Sequence, residues 1–474
     1  MKKHLLFLFA FVIMTVSAVA EMKNLQIIFT SDEHGWIERS GKNGGAAEMY
    51  QKWLIEDSIK TIPTLILSGG DNNTGPVISA TTKGKATVEV MNAMGYQCDV
   101  MGNHEIDFGQ DAFIELGKIK NFPTLSANLQ VLKSCKIPQK YIQPYYETEI
   151  NGLKILIIGL TTFDFPSLTM PANISGMRIS NYLDAITPYK DKIKNADVAI
   201  LLSHACVDEI QELYSQHIKD WGIDLFCNAH CHISESNLID NIPFLQGDPF
   251  LHGYHKLVLN YDSNNGLIRF SRIEHKLNNF TQKNPQIDSI ITKWKKTTNE
   301  QILEVIGYAD FDIAVDSPGL INLMLYSWLH EFPSASVCLM NRGGVRQGIA
   351  KGDITVGTLM GILPFENQLY LIKMRGKDIK AVITNSNPYV AGVDVKNDFK
   401  LDAGGMLGDT TYYQVLVNDF IYEGGDHYEL KNNSVLLKET GINIRIPLED
   451  YIRKLHSSWN HPINQYLDKR ARYK

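Results

Sequence analysis

Five short polar motifs in this chain carry side chains that bind cations: Asp32-Glu33-His34-Gly35, Gly69-Gly70-Asp71, Gly102-Asn103-His104-Glu105, Ser203-His204 and Asn228-Ala229-His230-Cys231-His232. Their carboxylate oxygens and imidazole nitrogens form a donor set suited to Zn, Mn, Fe, Co or Ni rather than Ca. Singly, each motif is commonplace. Asp71 could cap a turn, Asn103 could bond its own loop, and His204 could sit neutral in a core. As an ordered set they point to one metal site, because each follows a short apolar run.

Those runs, at 25–29, 64–67, 99–101, 198–202 and 224–227 with a further one at 154–160, are rich in Ile, Leu and Val and bounded by Gly or polar residues. They read as buried strands. Amphipathic stretches at 86–94 and 182–194 fall between them, so an α/β layered domain is expected. In open α/β sheets ligands bind beyond the carboxyl ends of the strands, which is where five loops distant in sequence can converge. The pattern pauses over 276–306, where polar residues around Lys293, Trp294, Lys295 and Lys296 predict a linking helix. Beyond it come an apolar helix near 320–329, strands at 336–340, 368–374 and 413–417, and a polar C-terminal helix.

At 474 residues the chain is long enough for two or three domains, and its 44% hydrophobic and 21% charged composition is that of a globular protein rather than a disordered one. Lys and Arg number 46 against 52 Asp and Glu, a net charge of −6, so no general basic field recruits a nucleic acid polymer. A phosphate must be caught locally. The opening Lys2-Lys3-His4, an apolar run over 5–16 and Ser17-Ala18-Val19-Ala20 predict a cleaved signal peptide and an exported, periplasmic or secreted product. No Cys follows the run to carry a lipid, and the polar, basic 465–474 excludes a GPI-type tail, so no stable membrane anchor is expected. The six cysteines (Cys98, Cys135, Cys206, Cys227, Cys231 and Cys338) are too few for a disulfide framework, although export would permit bridges, and read as small buried residues, with thiolates of Cys206 and Cys231 as soft-metal ligands the alternative.

The order Asp-x-His, Gly-Asp, Gly-Asn-His-Glu, His and His-x-His resembles the calcineurin-like metallophosphoesterases, and more closely the exported 5′-nucleotidase and 2′,3′-cyclic nucleotide phosphodiesterase family. The block Gly102-Asn103-His104-Glu105-Ile106-Asp107-Phe108-Gly109 carries much of this likeness. So do Asn341-Arg342-Gly343-Gly344-Val345-Arg346, Leu363-Pro364-Phe365-Glu366-Asn367, Asn418-Asp419-Phe420 and Gly424-Gly425-Asp426. The resemblance implies an α/β four-layer sandwich of two mixed sheets with flanking helices, plus a C-terminal α+β domain. The expected division is a signal peptide over 1–20, a catalytic domain over 21–275, a helical linker or hinge over 276–306 and a substrate-binding domain over 307–474. It also implies two divalent metal ions, one held by Asp32, His34, Asp71 and His232 and the other by Asp71, Asn103, His204 and His230. Two aspartates offset only part of that charge, which favours a phosphate dianion. His104, oriented by Asp107, would act on the phosphoryl group or leaving oxygen while water attacks.

The same resemblance gives Arg342 and Arg346 to phosphate, and Phe420 and Asp426 to a nucleoside. Arg375 is a further candidate phosphate contact, and Tyr389 lies nearest the family's second aromatic wall, although 385–396 is shorter than the family stretch. The chain departs from the family at Cys227-Asn228-Ala229, where Gly-Gly usually leads into His-x-His, and over 316–322. His252 and His255 are expected to stay outside the metal set. The expected function is hydrolysis of nucleoside phosphates, including 5′-monophosphates, 2′,3′-cyclic nucleotides or nucleotide sugars. The rival readings are a thiosulfohydrolase-like enzyme acting on a non-nucleotide ester and a non-catalytic nucleotide binder.

Overall fold

The computed structural model describes residues 22–39, 41, 44–262, 267–276 and 280–473, so the expected signal peptide at 1–20 lies outside the described residues. Among the described residues, strand β1 (Met22–Thr30) belongs to a seven-stranded sheet, antiparallel to Gly253–Asp262 and parallel to β2 (Thr64–Ser68), beyond which β3 (Cys98–Val100) runs parallel again. A six-stranded sheet holds β4 (Val198–His204) between the parallel strands Leu153–Thr161 and β5 (Leu225–Asn228). In that second sheet Tyr145–Ile150 runs antiparallel to Leu153–Thr161, so both sheets are mixed.

Alternation along each strand decides what it touches. Leu25, Ile27 and Phe29 of β1 and Leu65 and Leu67 of β2 meet Ile155, Ile157, Ile200 and Leu202 between the two sheets. Ile28 and Ile66 turn outward onto the helix residues Met49, Trp53, Val90 and Ile287. On the far side Ile158, Leu160 and Leu201 are covered by Tyr182, Ile210 and Tyr214. The result is the four-layer sandwich. Because both faces of each sheet are covered, the strands read as nearly unbroken apolar runs. The stretch 182–194 is not one helix: a 3-10 turn, Thr187–Tyr189, separates Tyr182–Ile186 from Lys190–Asn195. Pro188 in that turn has no N–H to continue the ladder.

Helix α1 (Pro285–Ile302) starts at Asn284, whose side chain accepts from the amides of Gln286 and Ile287 at 3.1 and 3.2 Å, with Pro285 in the first helical position. Ile287 and Ile291 pack into the cluster around Trp53, and Trp294 Nε1 donates to Glu89 at 2.7 Å. The helix expected to link is thus seated on the first half of the chain.

Beyond it, a five-stranded sheet places Val337–Met340 between Tyr389–Ala391 and Tyr412–Asn418, with Gln368–Arg375 and Ser434–Asn443 further out. Helix α2 (Pro318–Glu331), capped by Ser317, buries Leu320, Met324 and Trp328 on one side of this sheet. Helix α3 (Gly376–Ser386) buries Ile379 and Ile383 on the other. This is the expected α+β unit. Its loops at 341–346, 363–367 and 418–426 face the strand ends of the first half.

Candidate functional site

The loops after β1 and β2 are joined along their backbones. The amides of Asp32, His34 and Gly69 donate to the carbonyls of Gly70, Asp71 and Thr30, each at 2.8 Å. Buried Glu105 accepts from the amides of Gly102 at 2.7 Å and Asn72 at 2.8 Å, tying the loops after β2 and β3 together. The His230 amide donates to Asp32 Oδ1 at 3.1 Å, which draws in the loop after β5. Five side chains in these loops sit on left-handed backbone: Asp32, His34, Asp71, His230 and His232, with φ of 51, 44, 56, 79 and 53°. Such a conformation costs about 1–3 kcal/mol per residue and persists only where the surroundings impose it.

These loops bring all seven candidate ligands together. Asp32, His34 and His232 form one group and Asp71, His204 and His230 another, with His34, Asp71 and His104 forming a third that overlaps both, the ligand atoms within each group lying within 4.8 Å of one another. Asp71 Oδ2 reaches both, at 3.1 Å from His204 Nε2 and 3.9 Å from His34 Nε2. Asn103 Oδ1 lies 3.2 Å from His204 Nε2. The ring orientations fit cation binding. His34 Nδ1 donates to the Thr74 carbonyl at 2.9 Å and His204 Nδ1 to the Gly69 carbonyl at 2.8 Å, so each ring turns Nε2 inward.

Electrostatics point the same way. Burial, helped by the neighbouring Arg346 charge, lowers His232 to about 3, and burial with the His204 charge lowers His230 to about 4, so both rings are neutral donors near pH 7. Burial alone would lower His204 too, but the carboxylates of Asp71, Asp32 and Glu105 together outweigh it and push the ring up to about 10. A cation binding at His204 must therefore expel a proton, and affinity should rise with pH. Calorimetric titration of a divalent cation in buffers of different ionisation enthalpy should show proton release near pH 7. Buffer-independent heats would contradict it.

His104 sits beside both groups. Its Nδ1 lies 2.6 Å from Asp107 Oδ2, and its backbone amide donates to Asp71 Oδ1 at 2.8 Å. Burial lowers its pKa, yet Asp107 and Asp71 together raise it above the ordinary value. From here a cavity of about 410 Å³ runs into the second half of the chain, lined by His104 and His230 on one side and Arg346, Phe365, Phe420 and Asp426 on the other. Arg346 Nη2 approaches to 3.3 Å from His34 Nδ1. Phe365 stacks on His104 with centroids 5.8 Å apart, and Asp426 Oδ2 accepts from Asn341 Nδ2 at 2.7 Å.

Space around Phe420 is tight: a Cβ on Gly425 would overlap its ring. Gly425→Ala should therefore displace the ring and raise KM for a nucleotide about tenfold, the scale of one lost base stack, while leaving nitrophenyl phosphate turnover unchanged. Steady-state kinetics on both substrates checks this; equal losses on both would contradict it.

Three expected contacts lie elsewhere. Arg342 points away from the cavity, donating to the Asn387 carbonyl at 2.8 Å and lying over the rings of Tyr389 and Tyr473 at 4.8 and 5.3 Å. Tyr389 is buried in the sheet core and donates to Asp316 Oδ1 at 2.8 Å, so it forms no wall of the cavity. Arg375 is exposed and donates to Tyr412 Oη at 2.8 Å. The cysteine reading also needs correction, because Cys206 and Cys231 form a disulfide. His255 is buried on its strand with Nε2 donating to the Gln246 carbonyl at 2.8 Å, and His252 lies 3.8 Å from Asp248, so neither joins the ligand groups. Sequence reasoning misses Glu105, Phe365 and Lys83 as site residues, although the first two lie inside the quoted motifs. Lys83 lines the cavity from a left-handed helix end that no motif marks.

Residues 296–432 match the family described as 5′-nucleotidase, C-terminal domain. A solved calcineurin-like phosphoesterase, YfkN from Bacillus subtilis, shares its fold with 59% of this chain, at TM-score 0.50 and 19% identity over 99% of that one. The chain pairs a calcineurin-like metallophosphoesterase fold with a 5′-nucleotidase C-terminal domain. The whole architecture recurs in the 5′-nucleotidase precursor from Thermus thermophilus, at TM-score 0.78 and 21% identity over 92% of this chain and 97% of that one. In sequence it is 26% identical to the trifunctional nucleotide phosphoesterase protein YfkN of Bacillus subtilis (strain 168) over 86% of its length, and it spans 32% of that longer protein.

Proposed function

We propose that this protein is an exported metal-dependent phosphoesterase that hydrolyses nucleoside phosphates in the cavity between its two halves. The observation that carries the reading is that one continuous cavity joins the two ligand groups to Phe420 and Asp426. Asp32, His34, Asp71 and His232 would hold one divalent cation, and Asp71, Asn103, His204 and His230 the other. Cations bound there supply charge neutralisation for phosphate oxygens and acidify water. The mixed nitrogen and oxygen donors favour Zn, Mn or a similar ion.

The chain's own groups do the rest. Arg346 brings a guanidinium to the phosphate end of the cavity, where its fork suits phosphate oxygens. His104, with Nδ1 engaged by Asp107, keeps Nε2 for the cavity and holds a proton there for the leaving oxygen. Phe420 offers a face for a base, and Asp426, oriented by Asn341, accepts from a sugar hydroxyl. Export is supported by the charged and apolar opening segment and by the Cys206–Cys231 disulfide, a bond that persists in oxidising compartments. Among the described residues no helix is long and apolar enough to cross a membrane.

A cation-replete activity panel over AMP, cyclic AMP isomers, UDP-glucose and nitrophenyl phosphate tests the reading, with Phe420→Ala alongside. The variant should lose about tenfold or more in kcat/KM on its best nucleotide and keep its aryl phosphate activity. Hydrolysis confined to non-nucleotide esters, or fewer than two cations per chain when cations are in excess, would overturn the proposal.

A further inference from the structure

Resting on that reading, we propose that the Cys206–Cys231 disulfide positions the cation ligands, and that opening it weakens cation binding. The bond follows from strand register. β4 and β5 run parallel with Ser203 opposite Asn228, and Cys206 and Cys231 each lie three residues further along. Both segments leave the sheet at the carboxyl ends of these neighbouring strands, and the Cα atoms of Cys206 and Cys231 are 5.4 Å apart. One cysteine lies two residues past His204, and the other lies between His230 and His232. The disulfide therefore joins the segment just past His204, the last residue of β4, to the loop that carries His230 and His232, and these supply three of the seven candidate ligands.

Backbone contacts anchor the later loop on its leading side. The Ala229 amide donates to the Ala205 carbonyl at 3.2 Å, and the His230 amide reaches Asp32. Past Cys231 there is no regular structure until Glu235–Ile239. Yet His230 and His232 both hold left-handed backbone, at φ 79 and 53°, which a loop without restraint would leave. His230 must also stay with Nδ1 3.2 Å from His204 Nε2 across the two loops. The lead-in Cys227-Asn228-Ala229 carries no glycine to ease that turn. The covalent tie adds a restraint to the side-chain contacts that His232 makes with His34 and Asp32, at 3.0 and 3.5 Å.

Cys231 is exposed and Cys206 half-buried, so a soluble dithiol can reach the bond. Its thiolate attacks one sulfur to give a mixed disulfide, and its second thiol then closes on the first. Two electrons and two protons pass to the protein, leaving two cysteine thiols and one oxidised dithiol ring. Freed from each other, the loops keep their ligands but lose their registration. Groups that orient metal ligands typically govern affinity by about 10- to 100-fold, and a loss of that size is expected here, chiefly for the cation held by Asp71, His204 and His230.

The test measures Co(II) affinity, visible absorption and melting temperature on the full-length protein in three forms: oxidised, dithiol-reduced, and Cys206→Ser/Cys231→Ser. Thiol titration of the unreduced, denatured protein should find the other four cysteines, Cys98, Cys135, Cys227 and Cys338, free; six free thiols would overturn the proposal. The oxidised protein should take up two cations, the second bound at least about tenfold more weakly in the reduced and double-serine forms, with an altered absorption band. If those forms melt lower but bind both cations as tightly as the oxidised protein, the disulfide serves stability alone and the inference fails while the phosphoesterase reading stands. If the oxidised protein itself takes up no cation, both fail. Tighter binding in the reduced form than in the double-serine form would show the thiols acting as ligands and would likewise overturn the positioning role.

Discussion

Asp71→Asn will leave a folded protein that holds at most one cation and hydrolyses phosphate esters at least about a thousandfold more slowly, the scale of several kcal/mol of charge stabilisation. The substitution keeps the shape of the side chain and removes its charge. Asp71 lies 3.1 Å from His204 Nε2 and 3.9 Å from His34 Nε2, so both ligand groups lose their common carboxylate. Although burial opposes it, the charges of His204 and His104 hold this carboxyl well below the usual range, so it remains an anion throughout the working pH. Elemental analysis of dialysed protein, with circular dichroism as a control for folding, is the measurement. Two cations per chain in a folded Asp71→Asn variant would remove Asp71 from the centre.

His104→Ala should lower kcat by about 10²- to 10⁴-fold while cation content stays at the wild-type level, because all seven candidate ligands remain without its ring, which Asp107 engages at Nδ1. The pH profile separates a proton-holding ring from a merely packed one. Asp107 raises the pKa of His104. The protonated ring persists below that pKa and is lost as pH rises through it, giving the alkaline limb of kcat. Asp107→Asn withdraws the raising charge, so that limb should move to lower pH. An unshifted limb in Asp107→Asn, or a His104→Ala variant as active as the parent, would show that the pair plays no part in proton transfer.

Strands buried on both faces were legible because burial favours apolar side chains: four of the five residues from Leu25 to Phe29 are apolar, and the exception, buried Gln26, donates hydrogen bonds to Asp57 and Thr64. The seven ligands were legible for a related reason, since each loop after a strand must turn within a few residues and its polar side chains stand out. Their left-handed backbone was not, because nothing in the identity of Asp32 or His230 announces a positive φ. In the second half, side-chain direction defeated spacing. Arg342 and Arg346 are four apart, which on a helix would align them, but only Arg342–Gly344 make a helical turn and Val345 is extended, so the two guanidinium groups diverge. Tyr389 lies on an edge strand whose side chain faces inward to Asp316, a direction set by pairing with Met340. The disulfide escaped for want of register: only once β4 and β5 are paired do positions 206 and 231 become neighbours.

Arg346, Phe420 and Asp426 reach the cavity from a sheet that contributes none of the seven candidate ligands. On the proposed reading, the cation ligands and the groups that would meet a nucleoside thus come from different halves of the chain. An engineer seeking a new leaving group could rebuild the turn around Gly425 with the hydrolytic apparatus untouched, and natural drift has the same freedom.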